Sequence, residues 1–158
     1  MTRKRKPGVT DLNDATKNTE SAMELLDLSR FDAMQAAQEA GLDVDVKDPT
    51  GKKIGFTIKV AGPDSARQRK AIEKLAAERM ASDDPTPLTA QELYDRQTKG
   101  LASSTISWSP FKVDGALLEC TEEIAYAIYN RFPFIRDQVA ERAGRRSAFF
   151  TSSNTSAD

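Results

Sequence analysis

The stretch 108–123, WSPFKVDGALLECTEE, holds the residues of this chain whose types come closest to a reactive site. It contains the only tryptophan and the only cysteine, and Glu119, Glu122 and Glu123 lie within three positions of Cys120. A cysteine nucleophile usually relies on a neighbouring histidine base, and this chain has no histidine. Carboxylates near a thiol raise its pKa and make the thiolate rarer. The sequence therefore predicts a structural corner in which Cys120 serves as a small apolar residue.

Metal and nucleotide sites are the next chemistry to consider. Asp43, Asp45 and Asp48 lie close together, but an EF-hand loop starting at Asp43 would need glycine at its sixth position and glutamate at its twelfth. This sequence has Asp48 and Ile54 at those positions. The segment GKKIG lacks the outer glycine and the Lys-Ser/Thr pair of a phosphate-binding loop. We expect no catalytic, cofactor-binding or metal-binding residues, and we predict that the protein is not an enzyme.

Composition is typical of one ordinary globular domain. The chain has 158 residues, a formal net charge of −1 and a hydrophobic fraction of 39%. No apolar run is long enough to span a bilayer, so we expect no membrane partner. One cysteine excludes an intramolecular disulfide and suits a reducing compartment, and we expect a soluble, intracellular protein.

The N-terminal half alternates between helical and strand patterns. The segment 21–40 contains good helix formers and predicts one or two short helices. Strict alternation of apolar and polar residues on both sides of Asp-Pro-Thr-Gly predicts a β-hairpin at about 42–60. Asp64 or Ser65 then caps a helix, in which an apolar stripe at three- and four-residue intervals consists of Ile72, Leu75, Ala76 and Met80.

The C-terminal half contains clear start and stop signals. Thr89 and Glu92 match the capping box of a helix. The Asp114-Gly115 pair favours a two-residue turn and predicts a second hairpin at about 111–119. Thr121 can cap the next helix, which Pro133 ends before a last helix begins.

The elements combine into an α+β fold. We predict a small antiparallel sheet built from the two hairpins, at about 42–60 and 111–119, and packed by four to five helices. Residues 1–20 are predicted to be a disordered basic arm, residues 21–150 a single α+β domain, and residues 151–158 a disordered tail.

Basic residues offer one route to nucleic acid. Arg3, Lys4, Arg5 and Lys6 could contact phosphates, because non-specific binding requires little more than such charges. No aromatic residues are interleaved with them, so a base-stacking platform is missing. A solvated basic tail is the simpler interpretation.

Two stretches resemble the tail assembly chaperone family of long-tailed, non-contractile (siphovirus-like) bacteriophages. They are DVKDPTGKKIGFTIKVAGPDS with its following basic helix, and LTAQELYDRQTKGLASSTISWSPFKVDGALLECTEEIAYAIYNRFPFIRDQV. The resemblance covers about residues 42–150. What the chain shares with the family is the order of its elements: a hairpin, a helix, a tryptophan segment, an Asp-Gly hairpin, a capped helix and a terminal helix. The features that carry it here are Trp108, Asp114-Gly115, Thr121, Pro133 and Ile135–Val139.

The resemblance implies a non-enzymatic protein of the host cell cytoplasm. Such chaperones bind the tape measure protein, keep it soluble during tail morphogenesis, and are displaced when tail tube subunits assemble, so the protein would be absent from the mature virion. Whether the protein forms a homo-oligomer stays open. Tyr126 and Tyr129 cannot both point where Ile124 and Ile128 point, which predicts an exposed aromatic strip for a partner. The candidate contact residues are Tyr126, Tyr129, Phe132, Phe134, Phe149 and Phe150.

Two other functions stay open at this stage. One is a structural or head- or tail-associated phage morphogenesis protein that contacts DNA through residues 3–6. The other is an inhibitor or adaptor that binds a host protein.

Overall fold

The structure is a computed structural model that describes residues 24–154. Contacts divide the chain into two units, Met1–Asp32 and Ala33–Asp158. In the described part of the first unit, a 3₁₀-helix spans Leu28–Phe31, and the Asp27 side chain caps it by accepting a hydrogen bond from the Ser29 backbone N–H at 2.9 Å. The predictions for residues 1–20, including the phosphate contacts, lie outside the described residues.

The described residues form an α+β structure, as the sequence predicted. Its strands form a three-stranded antiparallel sheet in the order β1-β2-β3 and a separate two-stranded ribbon, β4-β5. The strands are β1 Leu42–Lys47, β2 Lys53–Val60, β3 Thr105–Trp108, β4 Lys112–Val113 and β5 Ala116–Leu117. The α-helices are α1 Asp32–Ala40, α2 Ala66–Ala81, α3 Ala90–Ser104, α4 Glu122–Arg131, α5 Pro133–Ala143 and α6 Arg146–Asn154.

The first hairpin follows directly from its sequence. The carboxylate of Asp48 accepts hydrogen bonds from the backbone N–H groups of Thr50 and Lys52, at 2.9 and 3.0 Å, which closes the predicted turn. The apolar residues of β1 and the last half of β2 are buried, whereas Asp43 and Asp45 lie on the exposed face of β1. Period-2 alternation thus separates a core face from a solvent face.

Two details of the sheet differ from the sequence-based prediction. The second hairpin does not join the first, because β3 occupies the free edge of β2, with Ile58 opposite Trp108. Ile54 was expected to point inward, but it is exposed. The register shifts after Val46, so Ile54 has no partner on β1, and Gly55 adopts a positive φ of 75° beside it.

Helices α3, α4 and α5 supply the other side of the core. Val139 and Ile135 of α5 are buried with the inner face of the sheet, and Tyr129 of α4 is fully buried. Thr105 donates to the carbonyl of Leu101 at 2.9 Å, so the Tyr129 hydroxyl, 2.6 Å away, donates to Thr105. Burial raises the pKa of the Tyr129 phenol far above its usual value.

The tryptophan segment is architectural. Asp114 and Gly115 both have positive φ, 51° and 81°, which fits the turn that this pair favours. Phe111 packs against Phe56, with ring centroids 4.6 Å apart, and meets Trp108 edge-on at 5.2 Å. These tilted and edge-on ring contacts of Phe111, which directly precedes β4, connect the ribbon β4-β5 to the sheet.

Helix α5 also protects the free edge of the sheet. The side-chain amide of Gln138 accepts from the N–H of Lys47 and donates to its C=O, both at 2.8 Å. The amide thereby takes the place of a neighbouring strand at the end of β1. Satisfying these groups removes part of a template for unwanted strand pairing.

The start of α2 is held by a polar cluster, here called the clasp, formed by Gln38, Gly62, Asp64 and Arg146. Gln38 is fully buried; its amide donates to the Asp64 carboxylate at 3.0 Å and accepts from the Asp64 backbone N–H at 2.8 Å. Arg146 of α6 binds the same carboxylate through two nitrogens, both at 2.7 Å. Ser65 then caps α2, which fixes the position of its first turn.

Helix α6 continues through Asn154, four residues into the segment 151–158 that was predicted to be a tail. The remaining residues of that segment, 155–158, lie outside the described part of the chain.

Two glycine substitutions should have opposite effects on stability. A Cβ at Gly62 would lie 2.5 Å from Cγ of Gln38, which the clasp holds in place, so Gly62→Ala should destabilise by about 1–3 kcal/mol. A Cβ at Gly100, inside α3, would meet nothing nearer than 3.9 Å, so Gly100→Ala should stabilise by about 0.5–1 kcal/mol. Urea unfolding of both variants measures the two changes. Equal effects would contradict the close packing of Gly62 on Gln38.

The clasp should also give the protein a specific acid sensitivity. The hydrogen bonds from Arg146 and then Gln38 lower the pKa of Asp64 from 3.8 to about 2. Because the folded-state pKa lies below the unfolded one, this stabilisation is complete above about pH 4 and is lost as the pH falls towards 2. Asp64→Asn should therefore lower the free energy of unfolding at pH 5, and its difference from the wild type should shrink between pH 4 and 2. Asp43→Asn, at an exposed aspartate of β1, is the control, and a pH-independent difference for Asp64→Asn would contradict the pairing.

Candidate partner-binding groove

The apolar stripe of α2 does not enter the core, although the helix itself lies where the sequence predicted it. Ala71 is the one residue of this helix that is buried. Ile72 is 56% exposed and Met80 is 82% exposed. A helix of 16 residues with good apolar spacing normally buries that stripe. Its exposure is the most unusual feature of the described residues.

The stripe forms one wall of an open groove. Helix α3 contributes Leu93, which is 48% exposed, and α5 forms the third side. The groove has a volume of about 540 Å³. Its apolar lining comes from all three helices and from the segment before α2, and consists of Ala61, Pro63, Ile72, Leu75, Ala76, Leu93, Leu101, Ala140 and Ala143.

Small residues form part of the groove lining. Gly100 of α3 is buried, and Ala140, Ala143 and the cap residue Gly144 belong to the end of α5. Small side chains let another backbone approach closely, as happens where helices cross. The shape therefore suits the face of a helix that carries larger apolar side chains.

The charged residues that line the groove are both arginines. Arg96 donates to the main-chain carbonyl of Leu75 at 2.8 Å, which ties α3 to the middle of α2. The guanidinium of Arg136 lies over the Tyr94 ring, 4.0 Å from its centroid. Its Nε donates to the Thr98 hydroxyl at 3.0 Å. The lining contains no aspartate or glutamate, so the field inside the groove favours negative charge.

Helix α2 packs on α3 but buries little of its own surface. A second cleft of about 230 Å³ lies on its other side, lined in part by Lys74, Glu78 and Tyr126. Leu75 borders both the groove and this cleft. The body of α2 is held by Ala71, Leu75, the Arg96 hydrogen bond and a hydrogen bond from the Ser104 hydroxyl to the Gln68 side chain, while the clasp fixes its first turn.

The predicted aromatic strip is only partly on the surface. Tyr129 and Phe149 are buried, so the structure corrects their assignment to an exposed strip: Tyr129 bonds Thr105 inside the main core, and Phe149 packs with Leu42 and Ala148 in a second cluster. Buried rings cannot contact a partner without unfolding their surroundings.

The other four aromatic residues have different environments, and none of them lines the groove. Tyr126 is partly buried and its hydroxyl donates to Asp95. Phe132 and Phe134 are partly buried and meet edge-on, with centroids 6.4 Å apart. Phe150 is exposed on α6. The structure does not bring these residues together into one surface.

Cys120 is partly buried in the loop before α4. Its thiol pKa is raised, as the sequence predicted; the cause is burial of the thiol, which the nearby charge of Arg67 partly offsets. Thr121 caps α4 by accepting from the Ile124 backbone N–H at 3.2 Å.

Within residues 24–154, no cluster of histidine, cysteine or acidic side chains could hold a metal ion. The same residues contain no helix of the length and hydropathy that crossing a bilayer requires.

The sequence identified the residues of the stripe by their spacing, but not their exposure. The spacing of apolar residues is the same whether the protein's own core or a partner covers the stripe.

The limited burial of α2 predicts faster local opening than in the rest of the domain. Native-state hydrogen exchange should show backbone amides in the second half of α2 exchanging at least about 10-fold faster than those around Leu101 in α3 or Ile128 in α4. The reason is that few apolar contacts hold this part of the helix. Equal protection of the three segments would show that α2 opens only with the whole domain.

The chain matches no known family model, no curated protein and no solved structure.

Proposed function

We propose that this protein is a phage tail assembly chaperone that binds an apolar face of the tape measure protein through the groove between α2, α3 and α5. The observation that carries the proposal is the uncovered apolar stripe of α2, which faces Leu93 across the groove. The resemblance of residues 42–150 to the tail assembly chaperone family supplies the identity of the partner.

An amphipathic helix is the occupant that this groove fits best. Helix-in-groove recognition places apolar side chains at i, i+3, i+4 and i+7 against an apolar channel. Here the walls supply Ile72, Leu75 and Leu93, and the small residues of the lining leave space for the partner's side chains. Removing this surface from water contributes about 25 cal/mol per Å².

A chaperone of this kind must also release its partner. The proposed partner helices lose their chaperone when tail tube protein assembles around the tape measure protein, so the complex has to be reversible. A groove with one loosely attached wall meets this requirement, because part of the binding free energy is used to order α2. We place this activity in the host cell cytoplasm and expect the protein to be absent from the mature virion.

The groove can be tested with a matched pair of leucine substitutions. The protein is co-expressed with the tape measure protein of the same phage, and the soluble fraction of that product is measured. Leu93→Asp places a charge in the groove, whereas Leu117→Asp places the same charge on the distant ribbon, where the leucine is 67% exposed. We expect the wild type and Leu117→Asp to keep the product soluble and Leu93→Asp to reduce its soluble fraction several-fold.

Circular dichroism of the two purified variants serves as the folding control, since both leucines are largely exposed. Equal solubilisation by the two variants would remove the groove from the proposal. Detection of the protein at fixed stoichiometry in purified virions by mass spectrometry would instead favour a structural head or tail component.

A further inference from the structure

Arg136 is the one charged side chain buried in the wall of the groove. It is 9% exposed, and it belongs to α5, whose neighbouring residue Ile135 enters the core. A buried guanidinium is costly unless hydrogen bonds and an opposite charge compensate for its lost hydration. The partners of each of its nitrogens therefore decide what this residue can do.

The contacts of Arg136 leave one nitrogen without a protein partner. Nε donates to the Thr98 hydroxyl at 3.0 Å, and Nη1 donates to the Asp137 carboxylate at 2.8 Å. Among the described residues, Nη2 has no hydrogen-bond partner, and it is not sealed from solvent. Arg136 lines the groove, and Nη2 is the donor of its guanidinium that no described residue occupies.

The guanidinium is also fixed in direction. The Tyr94 ring lies under it at 4.0 Å, and Thr98 is held in turn because its hydroxyl donates to the carbonyl of Tyr94 at 2.9 Å. A pre-positioned donor loses less entropy on binding than a free arginine on the surface. Its ionic partner Asp137 is 66% exposed, so solvent screens that pair and leaves the charge incompletely compensated.

We propose that Arg136 is a specificity-determining residue that selects partner helices carrying a glutamate or aspartate within their apolar face. The carboxylate of such a helix accepts from Nη2 while its leucine-like neighbours contact Ile72 and Leu93. Arg96 is less firmly directed, because a single hydrogen bond among the described residues, from its Nη2 to the Leu75 carbonyl, holds its guanidinium. Two hydrogen bonds and the Tyr94 ring hold that of Arg136. This inference deepens the proposed function and rests on the groove binding a helix.

The apolar walls and the one buried cation together determine which class of ligand fits the groove. A free phosphate or another hydrated anion would lose its water against Ile72, Leu75 and Leu93 and gain a single charged contact. A helix gains apolar burial and a charge-assisted hydrogen bond together. The occupant that fits both features is therefore an amphipathic helix with one acidic residue between apolar ones.

A double-mutant cycle tests the contact directly. Two fluorescent synthetic helices are compared: both have leucines at i, i+4 and i+7, and they differ only in having glutamate or glutamine at i+3. Their dissociation constants are measured by fluorescence anisotropy against the full-length wild type, Arg136→Gln and Arg142→Gln. Arg142 lies on the same helix and is exposed, so its substitution matches the change in charge outside the groove.

The wild type and Arg142→Gln should bind the glutamate peptide about 10-fold more tightly than the glutamine peptide, whereas Arg136→Gln should bind both equally. The peptide comparison keeps the protein unchanged, so it decides the matter even if Arg136→Gln folds poorly. Binding of both peptides with equal affinity by the wild type would overturn this inference and leave the proposed function standing. Failure of the wild type to bind either peptide would overturn the inference and the proposed groove together.

Discussion

The structure around the groove depends on the pairing of Gln38 with Asp64. The buried amide makes two hydrogen bonds to one residue, and Gly62 packs so closely against it that no Cβ would fit. Buried amides need such complete partners, because an unsatisfied one costs roughly 1–3 kcal/mol. This contact fixes the entry of α2 from the sheet side of the domain. The remainder of the helix can then lie on α3 without burying its own apolar stripe.

Because contacts at its first turn hold α2 in place, its apolar face does not have to pack against the rest of the domain. Most helices owe their place to packing of the stripe itself, and their stripe is unavailable to partners. In α2 the clasp and the Arg96 hydrogen bond replace much of that packing. The exposed Ile72 and the exposed Leu93 of α3 therefore face each other across an open channel. The same arrangement explains why α2 should be the least protected helix of the core region.

Local sequence signals predicted most of the fold because each is a short-range interaction. The turn at Asp48, the capping box of Thr89 and Glu92, and the positive φ of Asp114 and Gly115 depend on neighbours within four residues. The pairing of β3 with β2 joins residues about fifty positions apart, and no local pattern specifies it. For the candidate site, periodicity located the stripe of α2 but could not tell an exposed stripe from a buried one. The burial of Tyr129 likewise depends on Thr105, far away in the chain.

The groove must select its partner and also release it. Its apolar contacts and its single buried charge contribute to these two requirements in different ways. Burial of a partner's apolar side chains against Ile72 and Leu93 accepts many partner sequences. Its free energy increases with the apolar area that is removed from water. A single fixed guanidinium adds direction, because a carboxylate must reach one nitrogen of Arg136. The free energy needed to order α2 on binding reduces the net binding free energy, so the affinity stays below the value that the buried area alone would give. A competing assembly that covers the partner's apolar face can therefore displace the protein without having to unfold it.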